Sequence, residues 1–237
     1  MGREIRLCVP ITTEGLRLEK DVQGHGDDDT YISVRILNEG PASIESHVDE
    51  VLAVPDLLRL AREAEQDSVD AVIIDCMGDP GLFALREAVS IPVFGPAQTS
   101  MHVASMLGHR FGVVTVLERL HPLIRSLETH CGLERNMVEP RSVEIPVLEI
   151  EKNPERLQEL FIKEALDAVQ QDEADAIILG CTGFYGIADK IEEGLNKAGI
   201  SGVPVIDPIP VTIEFATAML RCELSHSKRA FPMPREK

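Results

Sequence analysis

Short apolar runs alternate along this chain with longer stretches in which apolar residues return every three or four positions. Runs over 4–10, 69–76, 91–94, 111–116, 174–181 and 203–206 predict strands, and Tyr31 to Leu37 adds one of alternating character. Helical spacing marks 47–66, through Val51, Val54, Leu57, Leu58 and Ala61, and then 119–130, 153–171, 185–197 and 210–222. Asp79 is expected to cap a helix that has Pro80 at its first position, and Asn153 and Pro154 repeat that arrangement. A further strand near 137–143 contains Pro140, which weakens its place in a sheet. The basic, proline-bearing tail from Ser225 reads as loosely ordered. Regular strand–helix alternation predicts an α/β fold with parallel sheets.

One strand pattern occurs twice. Val69-Asp70-Ala71-Val72-Ile73-Ile74-Asp75-Cys76-Met77-Gly78 and Ala174-Asp175-Ala176-Ile177-Ile178-Leu179-Gly180-Cys181-Thr182-Gly183 are identical at five of ten positions and lie 105 residues apart. Ile91-Pro92-Val93-Phe94-Gly95-Pro96 has a counterpart in Val203-Pro204-Val205-Ile206-Asp207-Pro208, and Ile5–Val9 matches Phe111–Val116 at a similar offset. A solenoid unit spans roughly 20–50 residues, so this spacing indicates a duplicated α/β domain instead. The expected architecture is two pseudo-symmetric, Rossmann-like parallel-sheet lobes with the active site in a cleft between them. One lobe takes 1–96 plus a returning C-terminal helix in 208–237; the other takes 97–207.

Charge and composition narrow the function classes. Forty acidic residues against 23 basic ones leave a net charge of −17, which disfavours nucleic acid and anionic membranes as partners. No apolar run reaches the ~18 residues of a membrane span, and no charged-then-apolar leader opens the chain, so a cytoplasmic protein is expected. Five cysteines without close pairing argue against a disulfide framework. No Cys-x-x-Cys accompanies them, and no zinc site is expected. Glycine-rich nucleotide loops are also missing.

Cys76 and Cys181 carry the candidate chemistry. Each ends a strand at the sheet edge where ligands bind in open α/β folds, and each precedes a helix start that favours thiolate. Two thiols related by a pseudo-twofold suit inversion at a carbon beside a carbonyl. One removes the proton, a planar enolate forms, and the other returns a proton to the opposite face. Backbone N–H groups of Gly78, Gly183 and the loop Ile11-Thr12-Thr13 are candidate donors to the enolate oxygen. Thr12, Thr13, Ser43, Thr115 and Thr182 offer hydroxyls, while Met77 and Phe184 suggest apolar walls. Cys8, Cys131 and Cys222 read as small buried hydrophobes.

The segment Cys76-Met77-Gly78-Asp79-Pro80-Gly81-Leu82, with Gly40-Pro41-Ala42-Ser43-Ile44-Glu45 and Gly180-Cys181-Thr182-Gly183-Phe184, resembles the hydantoin racemases of the aspartate/glutamate racemase superfamily. The resemblance covers about residues 5 to 222. It implies cofactor-independent racemisation by Cys76 and Cys181 on a small-molecule substrate, and a homo-oligomer. Val9-Pro10-Ile11-Thr12-Thr13 replaces the Asn-Pro-Asn-Thr type of loop common in that family, and Thr182-Gly183-Phe184 replaces Ala-Gly-Met. Both departures bear on the substrate more than on the reaction. A cyclic ureide such as a 5-substituted hydantoin or allantoin is the first expectation. An aspartate/glutamate-type amino-acid racemase, a maleate-type isomerase and a non-catalytic two-lobed binder remain as alternatives.

Overall fold

A computed structural model describes residues 2–235. The chain divides into two compact units, Met1–Pro96 with Pro210–Lys237, and Ala97–Ile209. Each is built on its own four-stranded parallel sheet.

In the first unit β1 (Arg3–Val9), β2 (Thr30–Ile36), β3 (Ala71–Ile74) and β4 (Val93–Phe94) lie in the order β2-β1-β3-β4. Every residue of β3 is buried, as an unbroken apolar strand covered on both faces requires. The short helix α1 (Glu19–Val22) precedes β2, α2 (His47–Gln66) joins β2 to β3, and α3 (Leu82–Ala88) joins β3 to β4. Ser46 caps α2, its Oγ accepting the Asp49 N–H at 3.2 Å. The buried stripe of α2 is Ala53, Leu57, Leu60, Ala61 and Ala64. Val51, expected on that stripe, is 70% exposed, because the core-facing spacing runs through Ala53 and Leu60 instead.

The second unit repeats the plan. Helix α4 (Pro96–Leu107) leads into β5 (Phe111–Thr115), α5 (His121–Cys131), β6 (Arg141–Ser142), α6 (Pro154–Gln170), β7 (Ala176–Leu179), α7 (Ala188–Lys197) and β8 (Val205–Ile206). The strand order is β6-β5-β7-β8, the same permutation as in the first unit. Asn153 caps α6 from Oδ1, accepting the Arg156 N–H at 3.0 Å, with Pro154 at the first helical position. The expected strand at 137–143 is reduced to Arg141–Ser142 and one bridge from Met137 to Phe111, split by Pro140, which has no N–H to donate. Helix α8 (Pro208–Arg221) begins two residues earlier than its spacing suggested, since prolines are well suited to a first turn.

Two further expectations are corrected. Helix α3 starts at Leu82 after Gly81, which adopts φ 69°, so Asp79 is not its cap. Asp79 instead donates its N–H to the Cys76 carbonyl at 3.1 Å and accepts the Leu82 N–H at 3.1 Å, making two turns where a helix was predicted. The described part of the tail is docked rather than loose. His226 Nε2 donates to the Val93 carbonyl at 2.7 Å, Lys228 Nζ donates to the Arg86 carbonyl at 2.6 Å, and Phe231 packs against Phe83 at 5.8 Å. Lys228 and His226 of that tail satisfy carbonyls at the end of α3 and the sheet edge.

Candidate active site

Parallel pairing carries every strand end of a unit to the same edge of its sheet. In the first unit β1 aligns Cys8 with Ile74 of β3 and Val9 with Ile36 of β2, so the loops after Val9, Ile36 and Ile74 share that edge. Thr12 and Thr13 donate their hydroxyls to the Pro41 and Ala42 carbonyls at 3.3 and 2.7 Å, and the Thr12 N–H reaches the Pro41 carbonyl at 2.9 Å. The structure thus brings the Pro10–Thr13 loop against the turn that precedes Ser43. Pro10 and Ile11 are buried, and Ser43 is half-buried.

The two cysteines open matching turns. Beyond β3, the Asp75 N–H donates to the Cys8 carbonyl at 2.9 Å; beyond β7, the Gly180 N–H donates to the Val114 carbonyl at 2.7 Å. Cys76 follows in the first case and Cys181 in the second. Cys76 Sγ accepts the Gly78 N–H at 3.4 Å, and Cys181 Sγ accepts the Gly183 N–H at 3.4 Å. The carbonyl of each accepts the N–H three residues on, from Asp79 at 3.1 Å and Phe184 at 3.0 Å. Both thiols are half-buried. The two sulfurs thus share the same backbone-donor arrangement, one in each unit. The N–H groups of Gly78 and Gly183, expected as donors to an enolate oxygen, each lie 3.4 Å from the neighbouring sulfur.

The other sequence-predicted residues fall as follows. Met77 is 7% exposed. Thr115 is buried and donates its hydroxyl to the Gly180 carbonyl at 3.1 Å, bracing the residue before Cys181. Thr182 is buried, and Gly183 is exposed. Phe184 has no exposed surface and meets Phe161 edge-on at 5.3 Å, so its side chain belongs to the core of the second unit. Of the remaining cysteines, Cys8 is fully buried and its thiol is pushed up to about 12, chiefly by burial, which keeps it protonated. Cys131 is half-buried and Cys222 is exposed, so only Cys8 is the interior hydrophobe that all three were expected to be.

Sequence reasoning missed three residues beside Cys76. Arg17 Nε donates to Asp75 Oδ2 at 2.7 Å, and both side chains are almost wholly buried. The available signal was Asp75 itself, a carboxylate ending an apolar strand where the second copy has Gly180. Gly180 is required there, because a Cβ would stand 2.7 Å from the Val114 carbonyl oxygen. Glu50 projects from the buried face of α2, in register with Ala53 and Leu57, and its Oε2 meets His47 Nδ1 at 3.3 Å. Its carboxyl is pushed up to about 6, mainly by burial, with the His47 contact opposing and Asp79 adding. An acidic residue on an apolar stripe was the signal.

Among the described residues no group of three or more His, Cys, Asp or Glu is arranged to hold a metal ion, and no helix is long and apolar enough to cross a membrane.

Twin parallel sheets, each placing a cysteine in the same turn, define an α/β fold seen in racemases. The family model described as Asp/Glu/Hydantoin racemase matches residues 16–216, and the chain belongs to that family and to its racemase class of isomerases. A hydantoin racemase of Pseudomonas sp. (strain NS671) is 36% identical, with 99% of this chain and 93% of that protein covered. One from Rhizobium meliloti is 37% identical over 88% of this chain and 84% of its own length. Among solved structures, allantoin racemase from Klebsiella pneumoniae superposes with a TM-score of 0.92 at 30% identity, covering all of this chain and 95% of its own.

Proposed function

We propose that this chain inverts a stereocentre beside a carbonyl without a cofactor, using Cys76 and Cys181 as paired proton-transfer groups. The substrate proposed is a cyclic ureide, a 5-substituted hydantoin or allantoin. The observation that carries the reading is the twin turn, in which each Sγ accepts the N–H of the glycine two residues on at 3.4 Å.

In the proposed cycle one cysteine is a thiolate and the other a thiol. The thiolate takes the proton from the stereocentre, leaving a planar enolate and a neutral thiol. The opposing thiol then gives its proton to the other face of that carbon and becomes the thiolate, so charge and protons balance and the roles exchange for the mirror-image substrate. The ring carbonyl acidifies the C–H, and positioned proton transfer supplies about 10²–10⁴-fold. Named relatives acting on hydantoin and allantoin support the ureide class. A substrate with two free carboxylates calls for cationic anchoring, and the buried Arg17 guanidinium already meets Asp75.

The test is incubation of single enantiomers of hydantoins, allantoin, aspartate and glutamate in D₂O, following optical rotation and deuterium at the stereocentre. Loss of rotation with deuterium uptake on a ureide is expected. Turnover of the acidic amino acids alone would replace the substrate assignment, and neither signal on any compound would overturn the reading.

A further inference from the structure

The two cysteine turns match in backbone but differ in what lies beside them. A Cβ built on Gly78 would collide with Glu50 Oε1 and would stand 3.6 Å from Cys76 Sγ, so carboxylate and sulfur border one point in the first unit. A Cβ built on Gly183 would stand 3.0 Å from Ile150 Cδ1 and 3.4 Å from Cys181 Sγ. The atoms that meet a Cβ thus differ, a carboxylate oxygen at Gly78 and a methyl carbon at Gly183.

Glu50 Oε1 is buried and accepts no hydrogen bond from any described residue. A buried carboxylate oxygen without a donor is costly, and such a group persists where it has work to do. The titratable groups set against it are His47 on its own helix, Asp79 on the turn after β3, and Cys76. Its charged form repels a second negative charge a few ångströms away, so it disfavours thiolate at Cys76.

We propose that Glu50 is a positioning residue that holds Cys76 as the neutral thiol in the free enzyme. The inference rests on the assignment of Cys76 as a proton-transfer group, and it deepens that assignment by giving Cys76 a resting state.

The test reads each thiol without turnover. Full-length protein is treated with iodoacetamide between pH 5.5 and 9.5, and alkylation of Cys76 and Cys181 is followed separately by peptide mass spectrometry. The neutral replacements Glu50→Gln and Glu50→Met are expected to move the midpoint for Cys76 about one pH unit lower and to leave Cys181 where it was. Glu50→Asp, which keeps the charge, restores most of the wild-type profile. An unmoved Cys76 midpoint in whichever neutral variant folds, or equal movement at both cysteines, overturns the proposal. Retained racemisation in a Cys76→Ser variant would instead remove the two-base reading, and the alkylation profiles would still report on Glu50.

Discussion

Gly78 donates its backbone N–H to the sulfur of Cys76, two residues earlier in the chain, at 3.4 Å. Oxygen in place of that sulfur keeps an acceptor for the N–H but is far too weakly acidic to ionise near neutral pH. Cys76→Ser and Cys181→Ser are each expected to lower racemisation at least 10²-fold with little change in melting temperature. Polarimetry with single enantiomers checks the first and circular dichroism the second. Near-normal turnover in either variant would remove that cysteine from the reaction.

The Arg17–Asp75 pair, at 2.7 Å with both side chains buried, holds the residue before Cys76. Removing one partner leaves the other charge buried, so Asp75→Asn is expected to cost about 3–5 kcal/mol in urea unfolding. The double replacement Arg17→Met with Asp75→Leu should recover much of that loss. A single-variant cost below about 1 kcal/mol would show that the pair is not a desolvated unit.

Gly180 approaches β5 so closely that a Cβ would stand 2.9 Å from Thr115 Cα, a backbone atom that cannot swing aside. Gly180→Ala is expected to cost about 1–3 kcal/mol by overpacking and to lower turnover by shifting Cys181. Chemical denaturation and initial rates, measured on one preparation, would test both parts.

Glu50 titrates at about 6 in the folded chain, above the ordinary 4.5. A raised carboxylate contributes stability that is fully present below pH 4.5 and is lost as pH rises through 6. The stability difference between Glu50→Gln and wild type should therefore grow in favour of the variant by about 1 kcal/mol from pH 4.5 to 7, after allowing for partial exposure. A pH-independent difference would contradict this.

His226 is held down to about 4, first by burial and then by the Arg86 charge, and it donates Nε2–H to the Val93 carbonyl. A lowered histidine contributes stability that is present above pH 6.5 and lost as pH falls toward 4. Over that window the tail should loosen by about 1–2 kcal/mol, read as faster amide exchange in residues 222–235. His226→Gln should flatten the dependence; an unchanged profile would show that another group controls the tail.

Much of the architecture was legible because it rests on periodicity. The runs ending at Cys76 and Cys181 become β3 and β7, fully buried, and the 47–66 spacing becomes α2 residue for residue. Asn153 caps α6 because Asx side chains compete for the N–H groups of a first turn. What escaped depends on partners distant in sequence. Glu50 and Gly78 meet across 28 positions, and Arg17 and Asp75 across 58. The same holds for the tail, whose His226 finds a carbonyl 133 residues away. Asp79 failed as a cap for a local reason, since Gly81 at φ 69° permits a second turn before α3.

The first unit is sewn from two segments that are far apart in sequence. Glu214 of α8 accepts the Gly26 N–H at 2.7 Å, Phe215 meets Phe94 edge-on at 5.8 Å, and the tail covers β4. Ribosomes deliver residues in order at about 5–20 per second, so Ala97–Ile209 can close as soon as it emerges. The first unit's sheet, though made earlier, waits for the segment from Pro210 onward to cover it. A nascent chain stalled before residue 210 therefore exposes an unfinished apolar surface, and a truncated message yields a client for chaperones rather than half an enzyme.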